Sequence, residues 1–385
     1  MADISIIVTL DPGAGRIDAL ASSLAGQTSD GFELVCVGGD ADVDEFGAAA
    51  GEQGLSCRTV TCSGDAAAMR EAGLGASTRG YVLFANSFTR FAKGLVEILS
   101  AELGEFGSEG VDVYAFHMQA IDTASSRYLT KDYAMRRQTQ VLFEPAERGE
   151  QLFQRYGANL CGMLISREHL LSLGQGFSCE NPIDDEPVAM LSLCRAGKAV
   201  YVKWPMTAIV YDRSSFIESM VTGQLERRLD IAAGMSRFFF GPAGDAASAS
   251  SADGAFQGRD SGLREPSMEP FVRSYLEWLV GFAVDGLDEQ PSGMQERLID
   301  AIGEKVTPVV RSLGEDGMHL GDWEKLRTVE LCGLDRMSLI EAGIALERDA
   351  LERVYDSEVE GLRADRDRRS GAGDGRRRRR LFSRR

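Results

Sequence analysis

The sequence predicts an α/β protein: a mainly parallel sheet flanked by helices, then an all-helical region and a basic tail. Three observations predict it. Through the first hundred residues, short apolar runs rich in β-branched residues alternate with helical segments. That alternation requires crossover connections, and so a parallel sheet with helices on both faces. A stretch rich in Gly, Ala, Ser and Asp, 241–267, then separates this part from four amphipathic segments. Finally, residues 361–385 hold eleven Arg and three Asp, a net of +8.

Each element has its own signal. Residues 4–8, Ile-Ser-Ile-Ile-Val, read as a strand buried on both faces. Leu20 and Leu24 fall at helical spacing within 18–27. A second strand, 32–37, stops at Gly38-Gly39, and a short third strand occupies 58–62. An Ala-rich helix over 65–77 leads into a fourth strand, 81–85, and another helix over 91–103. Beyond these, 111–118 reads as a strand and 127–150 as polar and irregular. A strand over 159–165, short helix over 167–173 and helix over 186–196 follow, the last with Val188, Leu191 and Cys194 on one face. Two short strands, 199–202 and 207–211, end the α/β part. The expected division is 1–225 for that domain, 226–240 for a connecting helix, 241–267 for a linker, 268–364 for the helical region and 365–385 for the tail. In the helical region Phe271, Tyr275, Trp278 and Phe282 form one aromatic stripe, which must be buried against something. Homo-oligomerisation and burial within the same chain both satisfy that need.

Composition narrows the function. The chain has 385 residues, room for two or three domains at roughly 150 each. Its net charge is −17, so residues 1–360 carry −25. An acidic body repels phosphate backbones, and specific nucleic-acid binding is not expected. Seven scattered Cys without a C-x-x-C pair, and only three His, argue against a zinc site or a disulfide framework. His117 and His169 read as structural. No apolar run reaches the ~18–20 residues of a membrane span, and the N-terminus lacks the basic region of a secretory signal. A cytoplasmic protein is expected.

The order of segments over residues 4 to about 215 resembles the family 2 glycosyltransferases, which have the GT-A fold. The resemblance is carried by "ISIIVTLDPG", "LASSLAGQTSDGFELVCVGG", "GDAAAMREAGLGASTRGYVLFANS" and "FSCENPIDDEPVAMLSLCRAGKAVYVKWPMTAIVYDRSS". Leu24, Gln27, Thr28, Phe32, Arg70, Gly73, Ala76, Gly80, Tyr81 and Phe84 stand where the family pattern wants them. The resemblance implies a nucleotide-sugar donor. It places Thr9, Asp40, Arg70, Asn86 and Ser87 at the nucleotide, Asp184 and Asp185 at the catalytic position, and Tyr211 and Arg213 where relatives close the donor site. Two departures concern chemistry. The family's acidic turn after the second strand is here Gly38-Gly39-Asp40. The family's Asp-x-Asp metal motif is replaced by Asn86 and Phe88. A hard cation needs anionic oxygens, so the second departure counts against a Mn²⁺ or Mg²⁺ cofactor.

Each candidate also has a plainer reading. Asp184-Asp185-Glu186 before Pro187 is good helix-capping chemistry as well as a base for an acceptor hydroxyl. Asn86 and Ser87 also suit an ordinary polar turn. Arg90 or Lys93 can offset phosphate charge in place of a cation, or be solvated. Gly13-Ala14-Gly15 belongs to no phosphate-loop pattern.

The resemblance and its departures therefore imply two alternative functions. One is an inverting glycosyltransferase acting on a cell-surface polysaccharide or lipid-linked acceptor. The other is a glycosyltransferase-like binding or scaffold protein without catalysis, motivated by Asn86 and Phe88. The tail, Arg376, Arg377, Arg378, Arg379, Arg380, Leu381 and Phe382, fits peripheral attachment to an anionic inner membrane face. Non-specific nucleic-acid contact and folding back on the acidic body are its alternatives.

Overall fold

A computed structural model describes residues 3–10, 17–122, 142–153, 159–174, 176–177 and 186–211, together with 270, 271 and 274. The sheet is built around β1, Ile4–Thr9, every residue of which is buried. β2, Phe32–Gly38, and β4, Tyr81–Asn86, lie parallel to β1 on either side, and β3, Arg58–Thr61, is the exposed edge next to β2. Helix α1, Ile17–Ala25, buries Ile17, Leu20, Ala21 and Leu24 on one face of this sheet. Helix α2, Asp40–Glu52, packs on the same face through Val43, Phe46, Ala49 and Ala50. Helix α3, Ala66–Ala76, covers the other face.

α3 begins where the Asp65 carboxylate accepts the Ala68 N–H at 2.9 Å, a side-chain N-cap. It then approaches β1 so closely that Gly73 has no room for a side chain. A Cβ there would collide with Ile7 Cγ2 and lie 3.2 Å from Val37 Cγ2.

The remaining strands complete a nine-stranded mixed sheet of order β3-β2-β1-β4-β8-β6-β9-β5, with β7 on β9. β8, Met163–Ser166, runs antiparallel between β4 and β6, Val113–Asp122. β9, Ala199–Tyr211, is parallel to β6. Its outer side pairs with β7, Leu142–Phe143, near its start and with β5, Thr89–Phe91, near its end. Helix α4, Leu95–Phe106, joins the α1–α2 face, α5, Arg167–Ser172, follows β8, and α6, Glu186–Cys194, precedes β9.

Four elements differ from the sequence expectation. α2 was not expected at all, because Gly47 and Gly51 and its many small residues weaken the apolar signal to Val43, Phe46, Ala49 and Ala50. The helix expected over 91–103 begins only at Leu95, after Gly94. Thr89, Arg90 and Phe91 instead pair with Ile209, Ala208 and Thr207. The two strands expected over 199–202 and 207–211 are one strand whose register on β6 shifts between Phe116 and Met118. Pro205 lies in that shift, where a residue without an N–H is tolerated. Within the stretch read as irregular, β7 and a 3₁₀ turn, Pro145–Gln151, are ordered.

That turn is also where the later chain docks. Phe153 N–H donates to Ser274 Oγ at 3.0 Å, and a Cβ on Gly149 would lie 2.8 Å from Pro270 Cβ. Phe271 is buried, so the aromatic stripe finds a partner within the chain at its first residue. The rest of the 268–364 region and the 226–240 and 241–267 segments lie outside the described residues. Among the described residues no helix is long and apolar enough to cross a membrane.

At the amino ends of β1 and β2 sits a polar clasp. Glu33 accepts from Ser5 Oγ at 2.6 Å, from Thr78 N–H at 2.8 Å and from Thr78 Oγ1 at 3.1 Å. Burial by itself pushes a carboxyl up, but those three donors and the Arg58 charge outweigh it and hold Glu33 below its usual value. A depressed carboxyl pKa stabilises the fold above the unfolded-state value and loses that contribution as pH falls through the folded one. Glu33→Gln is therefore expected to lower stability by about 1 kcal/mol at neutral pH, its half-exposed position screening part of the gain. Urea titrations should show the wild-type advantage shrinking below roughly pH 4. An advantage that does not change with pH would refute the charged clasp.

Candidate functional site

The strand order places the site. The chain moves outward from β1 to β2 and β3, then returns over the other face to β4 on the far side of β1. The point between β1 and β4 is a topological switch point, where crossovers leave to opposite faces and a crevice opens beyond the strand ends. At that point Thr9 is the register partner of both Val37 on β2 and Asn86 on β4. Thr9, Asn86 and Ser87 are thus brought together, all buried, with Thr9 Oγ1 donating to Ala85 O at 3.3 Å.

The turn that leaves β4 is held by its own side chains. Asn86 Oδ1 accepts the Phe88 N–H at 3.0 Å and the Thr89 hydroxyl at 3.0 Å. The Asn86 N–H donates in turn to Thr89 Oγ1 at 3.1 Å. Arg90 Nη1 donates to the carbonyls of Ser87, at 3.1 Å, and Thr89, at 2.8 Å. Val210 N–H donates to Phe88 O at 3.1 Å, tying the turn to the end of β9. A polar side chain at a strand end, bonding its own backbone two residues on, makes a compact Asx turn. Sequence reading missed Thr89; the signal available was a hydroxyl three residues after an Asn that ends a strand.

Beside it, the β2 end comes close to the β1 end. Leu10 N–H donates to Val37 O, and Cys62 N–H to Gly38 O, both at 2.8 Å. A Cβ on Gly38 would lie 2.9 Å from Leu10 Cβ, so a larger residue there would push the two strand ends apart. Gly39 caps α2, and Asp40 opens that helix as an exposed residue. Asp40 and Asp42 in the first turn suit the positive end of the helix dipole.

Arg70 is carried by α3, on the other face of the sheet. α3 runs against the strand direction, starting near the carboxyl edge after β3. Gly73 lies on Ile7 and Val37, so Arg70, one turn earlier, is closer to the edge by about 5 Å. It is 3% exposed and engaged in contacts, a buried guanidinium rather than a solvated one.

Tyr211 is the last residue of β9, opposite Asp122 of β6. Asp184, Asp185 and Arg213 lie outside the described residues, as do Arg376, Arg377, Arg378, Arg379, Arg380, Leu381 and Phe382. The segment with Asp184 and Asp185 is bracketed by two described anchors. Phe177 packs edge-on against Phe84 of β4 with ring centroids 5.2 Å apart, and Glu186 opens α6.

The donor set at the turn does not fit a divalent cation. Asn86 is neutral, both lone pairs of its side-chain oxygen are taken by Phe88 N–H and the Thr89 hydroxyl, and Phe88 offers no ligand atom. Among the described residues no group of three or more His, Cys, Asp or Glu could hold a metal ion. What the edge does offer is the polar side chains of Thr9, Asn86 and Ser87 at the switch point, with Gly38 and Gly39 at the neighbouring strand end.

No protein-family model matches the chain, and no curated protein matches it significantly. Solved structures do. The chain is similar to S. aureus TarS 1–349 in complex with UDP-GlcNAc, with a TM-score of 0.56 and 14% identity over 91% of each chain. The same protein in complex with UDP gives a TM-score of 0.54 and 15% identity, again over 91% of each chain. A longer TarS structure is matched over 92% of this chain and 55% of that one, with a TM-score of 0.53. At such identities the likeness concerns the fold. The fold is α/β and GT-A-like, a glycosyltransferase-type fold, as the order of sequence segments implied.

Proposed function

We propose that this chain is an inverting glycosyltransferase of the family 2 type, transferring a sugar from a nucleotide-sugar donor to a cell-surface polysaccharide or lipid-linked acceptor. The observation that carries the reading is the β1/β4 switch point. There Thr9, Asn86 and Ser87 meet at the carboxyl edge, and the neighbouring helices α2 and α3 carry Asp40 and Arg70. The fold is shared with a protein whose structures hold UDP-GlcNAc and UDP. In this reading Asp40 and Arg70 contact the nucleotide, Asn86 and Ser87 lie at the diphosphate, and Tyr211 and Arg213 close the donor site. Inversion requires a single base and in-line attack. Asp185, with Asp184 beside it, takes the proton from the acceptor hydroxyl as that oxygen bonds to the sugar C1 and the nucleoside diphosphate leaves.

The test is thermal stabilisation by UDP, GDP, CDP and dTDP, each with and without Mn²⁺. Stabilisation by at least one, with slow hydrolysis of the matching nucleotide sugar, is the expected result. No stabilisation by any of the four sinks the reading. It would favour the second one, a binding or scaffold protein on the same fold, which the replacement of both acidic metal ligands by Asn86 and Phe88 motivates.

The same proposal places the protein in the cytoplasm, at the inner face of the membrane. Its seven tail Arg around Leu381 and Phe382 would each gain roughly 1 kcal/mol near an anionic leaflet. In co-sedimentation, the full chain should bind anionic but not neutral liposomes, weakening steeply with salt as exposed charges are screened. Equal pelleting of a chain ending at Ser370 would remove the tail from the account.

A further inference from the structure

We propose that Cys36 and Cys57 form a reversible intrachain disulfide when a hydroperoxide reaches Cys57, tying together the two ends of α2. The inference is independent of the glycosyltransferase reading. β2 and β3 run parallel with Cys36 opposite Thr59, so Cys57, two residues earlier, lies on the same side of the strands as Cys36. Both side chains belong to the α1–α2 face, Cys36 within its core and Cys57 packed against it. They are unbridged thiols, hydrogen-bonded to each other. Their exposure differs. Cys57 is half-buried between exposed Ser56 and Arg58, whereas Cys36 is closed to solvent. One thiol can therefore meet a small oxidant, and the other can react only with its neighbour.

That asymmetry sets the chemistry. The hydrogen bond from the Cys36 thiol brings Cys57 down to about 7, against the opposing effect of its burial. Burial first, and then the Cys57 neighbour, push Cys36 up, so it keeps its proton. A sizeable thiolate fraction at neutral pH is what attack on a hydroperoxide needs. The Cys57 thiolate attacks the peroxide O–O bond; an S–O bond forms and Cys57 becomes a sulfenic acid. The hydroxide that leaves recovers, as water, the proton that Cys57 had lost. The Cys36 sulfur then attacks the Cys57 sulfur; S–S forms, S–O breaks, and the departing hydroxyl takes the Cys36 proton as a second water. The thiols have lost two electrons and the peroxide has gained them. The sulfurs must close to a bond of about 2 Å. Cys57 stands just before edge strand β3, outside the β2–β3 ladder, where the backbone is free to follow. The new bond closes a loop that contains all of α2, a helix weakened by its two glycines.

The experiment treats the reduced, full-length protein with stoichiometric hydrogen peroxide, alkylates the remaining thiols and maps the peptides by mass spectrometry. The expected product is a cross-linked Cys36–Cys57 peptide pair that dithiothreitol restores to free thiols. The oxidised protein should also show a higher urea midpoint than the reduced one, because a cross-link restricts the unfolded chain. Cys36→Ala should stop the reaction at a Cys57 sulfenic acid, which dimedone captures. The same variant should slow iodoacetamide alkylation of Cys57 at neutral pH by about threefold, the lost thiolate being partly offset by a more nucleophilic sulfur. Cys57→Ser, at the half-exposed position, should leave Cys36 untouched by peroxide in the folded protein. Absence of the cross-linked peptide in the wild type overturns the inference. So does pairing of Cys57 with Cys62 or with a second chain in preference to Cys36, or an oxidised form with the lower urea midpoint. Alkylation of Cys57 that is indifferent to Cys36→Ala overturns it as well.

Discussion

Asp185→Asn is expected to abolish sugar transfer while leaving nucleoside diphosphate affinity nearly unchanged. An amide has the size of the carboxylate but cannot take the acceptor's proton, and loss of a positioned general base costs roughly 10²–10⁴ in rate. Binding of the nucleotide is assigned to other residues, on β1, α2, α3 and the end of β4. The two readouts should therefore separate, with kcat falling and the nucleotide Kd holding. Asp184→Asn is the control for the acidic pair, since it keeps Asp185 as base. Transfer within a fewfold of wild type in Asp185→Asn would remove it from the mechanism. Equal loss of transfer and of nucleotide binding would point instead to the capping role that an Asp pair before Pro187 also fits.

Gly73→Val is expected to be the most damaging single change in the described core. The new Cβ would enter space held by Ile7 Cγ2, and its methyls would press on Val37, whose Cγ2 is already 3.2 Å from an ideal Cβ. Both partners are fully buried strand residues at the centre of the sheet and cannot swing away. Overpacking of this kind costs about 3 kcal/mol, a large part of the roughly 5–15 kcal/mol that holds a domain together. Gly75, two residues later in the same helix, has nothing within 4 Å of its would-be Cβ. Gly75→Ala should thus be neutral or stabilise by up to about 1 kcal/mol, from helix propensity alone. Urea denaturation of the two variants should move the midpoint in opposite directions. A Gly73→Val protein as stable as Gly75→Ala would mean that α3 does not lie on β1 as closely as described. Because Arg70 is carried by the same helix, the milder Gly73→Ala should also weaken nucleotide binding by displacing it.

Much of this architecture was legible in the sequence, for local reasons. β1 could be read because Ile4, Ile6, Ile7 and Val8 form a β-branched run that only a strand buried on both faces tolerates. α1 and α3 could be read because their apolar and small residues keep helical spacing and Asp65 marks a start. That the ends of β1, β2 and β4 share one edge followed from alternation, while the choice of Thr9, Asp40 and Asn86 there came from the family resemblance. Other features depended on partners distant in the chain. α2 buries only two large apolar residues, Val43 and Phe46, beside Ala49 and Ala50, and holds two glycines, too weak a signal to announce a helix without the sheet beneath it. Thr89, Arg90 and Phe91 are a strand because β9, over a hundred residues later, offers Ile209, Ala208 and Thr207 as ladder partners; no local preference demands it. The state of Asn86 was settled the same way. Its residue type told only that an acid is missing, whereas the fold set Thr89 and Phe88 N–H against its oxygen and filled both lone pairs. A sequence specifies which groups a chain carries and their local preferences. Which hydrogen-bonding capacity remains for a ligand depends on what tertiary packing has already used.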